Sequence, residues 1–409
     1  MTSGASRPAI SSNPVPVPNR ALRDKYAIVG TGVSRLGKVP GVSTLALTEE
    51  AIYAALNDCG LTVQDVDGLL MRGPDDIYTF HQVVGERLGI NATFSTSTAN
   101  GGASQILSVI MAVMAIDAGL ASVVVCGYGR DAWSRTHANK DVQMRGATRA
   151  AQMESAEFGP EFGLFGAPAM HAFGARRHMH EFGTTREQFG AISLAFREFA
   201  NRNPASQMRD KTLTMDDYLA ANMIVEPFCL LDCSLRSDAA GAVIVTSVQR
   251  ARDLKRKPVL IKGFATHNNT SGWFEGNNMT CTAAGPSSAR AYEMAGLGPK
   301  DIDCAQIYDC FTYMVLVQLE DYGFCKKGEG GDFVSSGALR LDGTLPTNTS
   351  GGQLSEAHAE GMLQVVEGVR QLQGIYEKDR QAPRAETCIV SGHGGNTVCH
   401  SSLILGNAT

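Results

Sequence analysis

An internal repeat is the feature of this sequence that most restricts its fold. Residues 54–71 (AALNDCGLTVQDVDGLLM) and 291–307 (AYEMAGLGPKDIDCAQI) each run from a helix end through Gly-Leu and a polar loop into an apolar strand. Corresponding residues are 236 positions apart, Gly60 with Gly296 and Asp65 with Asp301. An apolar strand also precedes each unit, so the order strand, helix, strand is predicted twice.

The second part of each unit repeats as well. A glycine-rich turn and an apolar helix at 100–119 precede the strand 122–129, and the same order recurs at 350–372 and 387–395. Gene duplication explains this order economically. It predicts an α/β protein of two pseudo-symmetric domains whose central helices pack against each other between the sheets.

The repeat also sets the predicted domain boundaries. Residues 1–24, rich in Ser and Pro, are interpreted as a flexible leader. The N-terminal half is expected at 25–250 and the C-terminal half at 255–409. An insertion at about 130–220, rich in Phe, Met, Gly and His, is interpreted as a helical lid or dimer region packed by soft side chains.

Charge and hydropathy exclude several functional classes. The net charge is −5 and no stripe of Lys and Arg recurs at helical spacing, which gives a nucleic acid no binding face. No apolar run approaches the ~20 residues that a membrane helix needs. The pattern therefore favours a cytoplasmic enzyme with a small-molecule substrate.

The cysteines and histidines give no metal motif. The ten cysteines include no Cys-x-x-Cys pair, and they are interpreted as reduced. His171, His178 and His180, in the insertion, resemble a metal cluster, but His178 and His180 are separated by about 200° on a helix and cannot share one face. The sequence therefore predicts no metal site.

Two short stretches carry candidate chemistry. Residues 306–312, QIYDCFT, place Tyr308 between a short apolar run and a helix-like run. Residues 350–358, SGGQLSEAH, place His358 in a glycine-rich setting, and His393 lies between Gly392 and Gly394. A phenol and imidazoles at such positions are suited to acid–base work.

The order and spacing of these motifs resemble the thiolase superfamily over residues 25–409. The likeness is strongest to its sterol-carrier-protein-type branch, which carries His-Asp-Cys-Phe where this chain has Tyr308-Asp309-Cys310-Phe311. The resemblance implies the thiolase-like fold: two duplicated α/β domains in five layers, α-β-α-β-α, with a helical or loop insertion.

Both cysteines that define thiolysis are missing. The segment matching the first nucleophile is Thr98–Ser104, and the second would fall near Ser391–Gly394. His358 matches the thiolase histidine that supports an oxyanion hole, and Tyr308 replaces that hole's other contributor. This combination resembles the thiolase-like aldolases of bacterial steroid side-chain degradation, formerly called lipid-transfer proteins. In that group the position of His358 is often a tyrosine, so the acyl group is left open.

The resemblance implies a carbon–carbon lyase that performs retro-aldol cleavage of a β-hydroxyacyl-CoA. A base takes the β-hydroxyl proton, and the electrons reach the thioester as an enolate. Tyr308 is expected to be the base if its surroundings lower its pKa, His358 to stabilise the enolate, and His393 to exchange a proton at Cα. Candidate substrate-binding residues are Asn100, Gly101, Tyr128, His267, Gly352 and Gly394.

Two other functions stay open at this point. One is an acyltransferase or thiolase that uses an unusual nucleophile, Cys310 or Cys388. The other is a non-catalytic subunit that binds acyl-CoA or lipid. No cofactor is expected beyond the CoA of the substrate.

The resemblance also implies partners. Dimers of the superfamily form through edge strands of the N-terminal halves, here expected at about Ala92–Ser97, which predicts a homodimer. The aldolase group pairs with a small OB-fold and zinc-ribbon protein, commonly in a two-plus-two assembly, so such a partner is expected here.

Overall fold

A nine-stranded mixed sheet organises the computed structural model, which describes residues 16–138, 164, 166–269, 279–395 and 398–408. The sheet order is β3-β2-β4-β7-β1-β8-β11-β10-β9, and β5 and β6 form a separate two-stranded sheet. The strands are β1 Tyr26–Val33, β2 Gly68–Arg72, β3 Phe94–Ser97, β4 Val123–Asp131, β5 Met223–Val225, β6 Phe228–Cys229, β7 Asp238–Ser247, β8 Val259–Asn268, β9 Cys304–Gln306, β10 Thr387–Gly394 and β11 Cys399–Gly406.

Helices cover the strands and form most of the described insertion. They are α1 Thr44–Cys59, α2 Phe80–Leu88, α3 Ser104–Asp117, α4 Ala132–Ala138, α5 Gly166–Phe182, α6 Arg186–Arg202, α7 Met215–Leu219, α8 Val248–Ala251, α9 Ala284–Ala295, α10 Thr312–Asp321, α11 Gly330–Ser335, α12 Gly352–Ser355 and α13 Met362–Gln373.

The strand pairing shows the duplication directly. In the N-terminal half β1 pairs antiparallel with β7, β7 antiparallel with β4, and β4 parallel with β2. The C-terminal half repeats this pattern with β8, β11, β10 and β9 in the same roles. The predicted thiolase-like fold is confirmed, and the halves join into one continuous sheet where Ala27 of β1 lies opposite Leu260 of β8.

The two central helices lie between the strand groups. Helices α3 and α13 each contact strands of both halves, whereas α1 packs on β1 and β7, and α9 packs on β8 and β11. Apolar side chains of both central helices share one buried cluster, which includes Ile106, Val109, Val365 and Val369. Since this cluster contains residues of both halves, burial of its apolar surface holds the halves together.

The repeated turn has the same hydrogen bonds in both halves. Gly60 and Gly296 end helices in the left-handed region, with φ of 80° and 64°. The following carboxylates then close a short 3-10 turn: Asp65 accepts from the Thr62 amide at 3.0 Å, and Asp301 accepts from the Gly298 amide at 2.8 Å. The sequence repeat is therefore a repeat of helix stops and capped turns.

Strand β3 is at the edge of the sheet, as predicted for the segment near Ala92–Ser97. Its dimer role stays a prediction. Of the predicted insertion, residues 139–163 lie outside the described residues. No described helix combines the length and apolarity that crossing a membrane requires.

We expect Asp301→Ala to lower the free energy of unfolding by about 0.5–2 kcal/mol, because it leaves the Gly298 amide without its capping acceptor. Chemical denaturation measures this. Lys300→Ala, on the same exposed turn, is the matched control and should change stability little. Equal effects of the two substitutions would contradict the capping role.

Candidate active site

Tyr308 lies on the loop between β9 and α10, as predicted for QIYDCFT. The backbone is pinned on both sides: the Tyr308 amide donates to Ser391 Oγ at 2.7 Å, and Gln318 Nε2 donates to the Tyr308 carbonyl at 2.8 Å. The side chain is 5% exposed. The backbone at Tyr308 is therefore fixed by side chains from two other elements, α10 and β10.

Asp309 fastens this loop to the segment that carries His358. Its carboxylate, with no exposure, accepts from the Gln353 and Leu354 amides at 3.0 and 3.1 Å and from Gln364 Nε2 at 2.7 Å. The two amides belong to α12, so a buried carboxylate satisfies otherwise unpaired helix donors. Gly352, a predicted binding residue, packs on this carboxylate.

A glycine-rich turn of the N-terminal half closes over Tyr308. A Cβ on Gly102 would lie 2.2 Å from the Tyr308 ring, and one on Gly394 would lie 1.9 Å from the Asn100 carbonyl oxygen. Glycine at both positions allows this close approach. The predicted residues Asn100, Gly101 and Gly394 therefore come together beside Tyr308, from opposite halves of the chain.

The electrostatics of Tyr308 differ from the sequence expectation. We expected surroundings that lower its pKa, but burial raises the pKa of Tyr308 well above 10, and Cys310, Glu360 and Tyr128 raise it further. The expectation was wrong because desolvation of the buried phenolate is the largest effect on this group. Tyr308 is therefore a neutral hydrogen-bond donor.

His358 follows α12 and is half-buried. Its Nδ1 lies 3.2 Å from Ser234 Oγ, and its amide donates to Ser237 Oγ at 3.1 Å. Burial lowers the pKa of His358, although the Glu360 carboxylate opposes this. The lowered pKa makes the imidazole neutral near pH 7, and its ring is held by Ser234 at Nδ1 and by a backbone hydrogen bond with Leu235.

A cavity of about 500 Å³ opens beside His358. Its described lining contains Tyr128, as predicted, and the polar or charged groups Arg130, Arg135, Arg236, Ser234 and Glu360. The rest of the described lining is Ala132, Thr136, Ala167, Pro168, Ile224, Leu230, Cys233, Leu235, Ser237 and Phe311. A site of this size, apolar with a few charged groups, is typical of small-molecule binding.

Glu360 connects the cavity to two arginines. Its carboxylate contacts Arg72 at 3.3 Å and Arg130 at 3.5 Å, across 288 and 230 residues of sequence. Its φ is 44°, in the left-handed region that a non-glycine residue adopts at a cost. Sequence reasoning missed this residue, since nothing local marks it as buried or paired.

His393 lies on β10 and is not among the described residues that line the cavity. It is 3% exposed, and its Nε2 is 3.4 Å from His171 Nε2. Burial, together with His171 and His400, lowers the pKa of His393 well below 6.5. His171 is a residue that the sequence did not single out for this site, because only tertiary packing brings α5 to β10.

The remaining predicted histidines lie elsewhere. His267, on β8, lies opposite His400 of the neighbouring strand β11. The described lining of the cavity does not include His267. Residues 270–274 of the loop that follows it lie outside the described residues. On α5, His178 is buried against Glu320 and His180 is exposed, so these two do not share a face, as predicted.

The cysteines are poorly placed for nucleophilic catalysis. Burial raises the pKa of Cys310 and of Cys388, which opposes formation of a thiolate. Ser391, near the position of the second thiolase cysteine, already accepts from Tyr308 N and donates to Gln318 Oε1 at 2.7 Å. These observations disfavour the acyltransferase alternative.

Comparisons with known proteins agree with this geometry. Residues 265–407 match the family described as thiolase C-terminal domain-like. The chain is 36% identical to a steroid side-chain-cleaving aldolase of Thermomonospora curvata, covering 93% of this chain and 97% of that one. It is also 36% identical to a 17-hydroxy-3-oxo-4-pregnene-20-carboxyl-CoA lyase of Mycobacterium tuberculosis, covering 94% and 100%.

A solved Ltp2-ChsH2(DUF35) aldolase has a similar structure. The TM-score is 0.85 at 36% identity, and the match covers 94% of this chain and 98% of the other. The fold and the sequence therefore point to the same group of proteins.

We expect the stability of the Glu356→Gln variant, relative to that of the wild type, to increase as the pH rises. Glu356 is buried, accepts from Asn203 Nδ2 and Ser350 Oγ, and has a pKa raised by burial to about 7. A folded pKa above the unfolded value of ~4.3 means that this group's contribution to stability falls as pH rises through that window.

The melting temperature of Glu356→Gln minus that of the wild type should therefore increase from about pH 5 to pH 8. Exposed Glu377, replaced by Gln, is the control and should show a flat difference. A difference for Glu356→Gln that is flat or falls with pH would contradict the raised pKa.

Proposed function

Because this chain belongs to the thiolase superfamily, in its sterol-carrier-protein-type branch, and is a carbon–carbon lyase acting on CoA thioesters, we propose that it performs retro-aldol cleavage of a β-hydroxyacyl-CoA. The products are a carbonyl compound and a shorter acyl-CoA. The observation that carries the proposal is a neutral imidazole, His358, in the lining of the cavity, with the neutral phenol of Tyr308 packed behind that lining against Gly361, beside thiols that burial disfavours as nucleophiles.

His358 is the proposed base. Its neutral imidazole takes the proton of the β-hydroxyl, the Cα–Cβ bond breaks, and the bond electrons form an enolate on the thioester. The imidazolium then returns the proton to Cα, so that the cycle needs no covalent intermediate and no outside reactant. Ser234, 3.2 Å from Nδ1, orients the ring for both steps.

Tyr308 is the proposed donor to the enolate oxygen. A phenol kept neutral by burial cannot act as a base without a large cost, but it donates a hydrogen bond to developing negative charge. Tyr308 is not in the described lining, but its ring packs against Gly361, which directly follows Glu360 of the lining. This assignment reverses the roles expected from the sequence.

The substrate is proposed to be a steroid side-chain thioester. The two relatives named above are, by name, an aldolase that cleaves a steroid side chain and a lyase of a pregnene carboxyl-CoA. Apolar residues such as Phe311 and Leu235 suit a hydrocarbon skeleton, and Arg135 and Arg236 suit the phosphates of CoA. His393 is buried against His171 and receives no proton-transfer step.

The proposed assembly follows the same relatives. The similar solved structure is an Ltp2-ChsH2(DUF35) aldolase, which supports a partner protein for this chain. The family resemblance implies that this partner is a small OB-fold and zinc-ribbon protein. We propose a homodimer through β3, with two partner molecules, in the cytoplasm. No cofactor is proposed for the cleavage.

We expect Tyr308→Phe to lower turnover by about 10²–10³-fold, the usual cost of losing one oxyanion donor. Cleavage of β-hydroxyacyl-CoA esters, steroid thioesters among them, is followed by mass for both products. His358→Ala should also reduce turnover, and the double variant should lose less than the product of the two single effects, since both act on one transition state.

Tyr292→Phe is the matched control, because it removes the hydroxyl of another buried tyrosine, on α9. It should keep near-normal turnover. If Tyr308→Phe retained half of the wild-type turnover, or if alkylation of a substrate-protected cysteine abolished activity, the proposed chemistry would be wrong.

A further inference from the structure

Three buried or half-buried side chains meet beside Tyr308 without a role in the proposed cleavage. They are His171 on α5, Cys310 in the Tyr308 loop and His393 on β10, and their ligand atoms all lie within 4.8 Å of one another. Two imidazoles and a thiol form a donor set that soft or borderline cations select over Mg²⁺ and Ca²⁺. The elements come from the insertion and from two separate segments of the C-terminal half.

The tautomer of His171 follows from its contact with the backbone. His171 Nδ1 lies 2.8 Å from the Ala167 carbonyl oxygen. A carbonyl only accepts, so Nδ1 carries the proton and Nε2 has its lone pair directed toward His393. An imidazole that donates one N–H to a carbonyl and offers its other nitrogen is the usual arrangement of a metal-binding histidine.

The distance between the two imidazoles also fits an ion. Two Zn–N bonds of about 2.05 Å at a tetrahedral angle separate the nitrogens by about 3.4 Å. The observed separation of the two Nε2 atoms is 3.4 Å. A hydrogen bond from His393 to His171 would have the same length. Such a bond would not involve Cys310, whose Sγ lies in the same cluster.

The cluster is enclosed by the protein. His171 and His393 are each 3% exposed, and Cys310 is half-buried beside them.

We propose that His171, Cys310 and His393 bind one zinc-type divalent cation, which links the insertion helix α5 to the Tyr308 loop and to β10. Binding converts the Cys310 thiol to a thiolate and releases its proton to solvent. The proposal goes beyond the cleavage reaction. It is tested without substrate, so its failure and the failure of the proposed function are distinguishable.

Metal content is the first measurement. The full-length protein is stripped with a chelator under reducing conditions, dialysed against Zn²⁺ and analysed by mass spectrometry of the metal. We expect about one zinc per chain in the wild type and in His180→Ala, the exposed control on α5, and less than a tenth of that in His171→Ala and Cys310→Ser. A wild type that binds less than a tenth of an equivalent, or a folded Cys310→Ser protein that binds as much as the wild type, would overturn the proposal.

Two measurements on the wild type decide the matter even if the variants fail to fold. Co²⁺ in place of zinc should give a thiolate-to-cobalt charge-transfer band, and Zn²⁺ should slow alkylation of Cys310 by at least tenfold while leaving Cys325 unchanged. Half-buried Cys325 is the internal control. Absence of the band, or equal alkylation of Cys310 with and without Zn²⁺, would refute the site.

Discussion

The site depends on one buried carboxylate, that of Asp309. It receives two backbone amides of α12 and the Gln364 side chain of α13, so it joins the Tyr308 loop to the segment that ends at His358. Burial is costly for this group and raises its pKa to about 6. The three donors offset that cost, and without the carboxylate they would be buried and unsatisfied, at about 1–3 kcal/mol each. The arrangement explains why an acid follows the tyrosine in QIYDCFT.

The duplicated fold explains why the site forms at the junction of the halves. The central helices α3 and α13 contact strands of both halves, so their preceding turns meet near the same place. The turn at Gly101 comes from the N-terminal half, and Tyr308, His358 and Gly394 come from the C-terminal half. Their close backbone contacts, such as Gly394 on the Asn100 carbonyl, leave space for the Tyr308 ring but for no further side chain.

Burial also selects the chemistry. It keeps Tyr308 protonated, His358 neutral and the thiols of Cys310 and Cys388 undissociated. A thiolate mechanism requires a cation or helix terminus to lower a thiol pKa, and the shifts here run in the opposite direction. Neutral donors and acceptors suit a reaction in which one proton is taken up and returned. The charged groups Arg130 and Glu360 lie at the cavity.

The sequence by itself determined the duplicated α/β order, the paired turns at Gly60 and Gly296, and the loops that carry Tyr308 and His358. These features are local, because glycine caps, capped turns and apolar runs depend on neighbouring residues. Only the tertiary structure decided the joining of β1 to β8, the contact of His171 with His393, and the pairing of Glu360 with Arg72 across 288 residues. The tertiary structure also decided the direction of the Tyr308 pKa. A pKa depends on desolvation and on charges from distant segments of the chain, and the residues next to the group in sequence reveal neither.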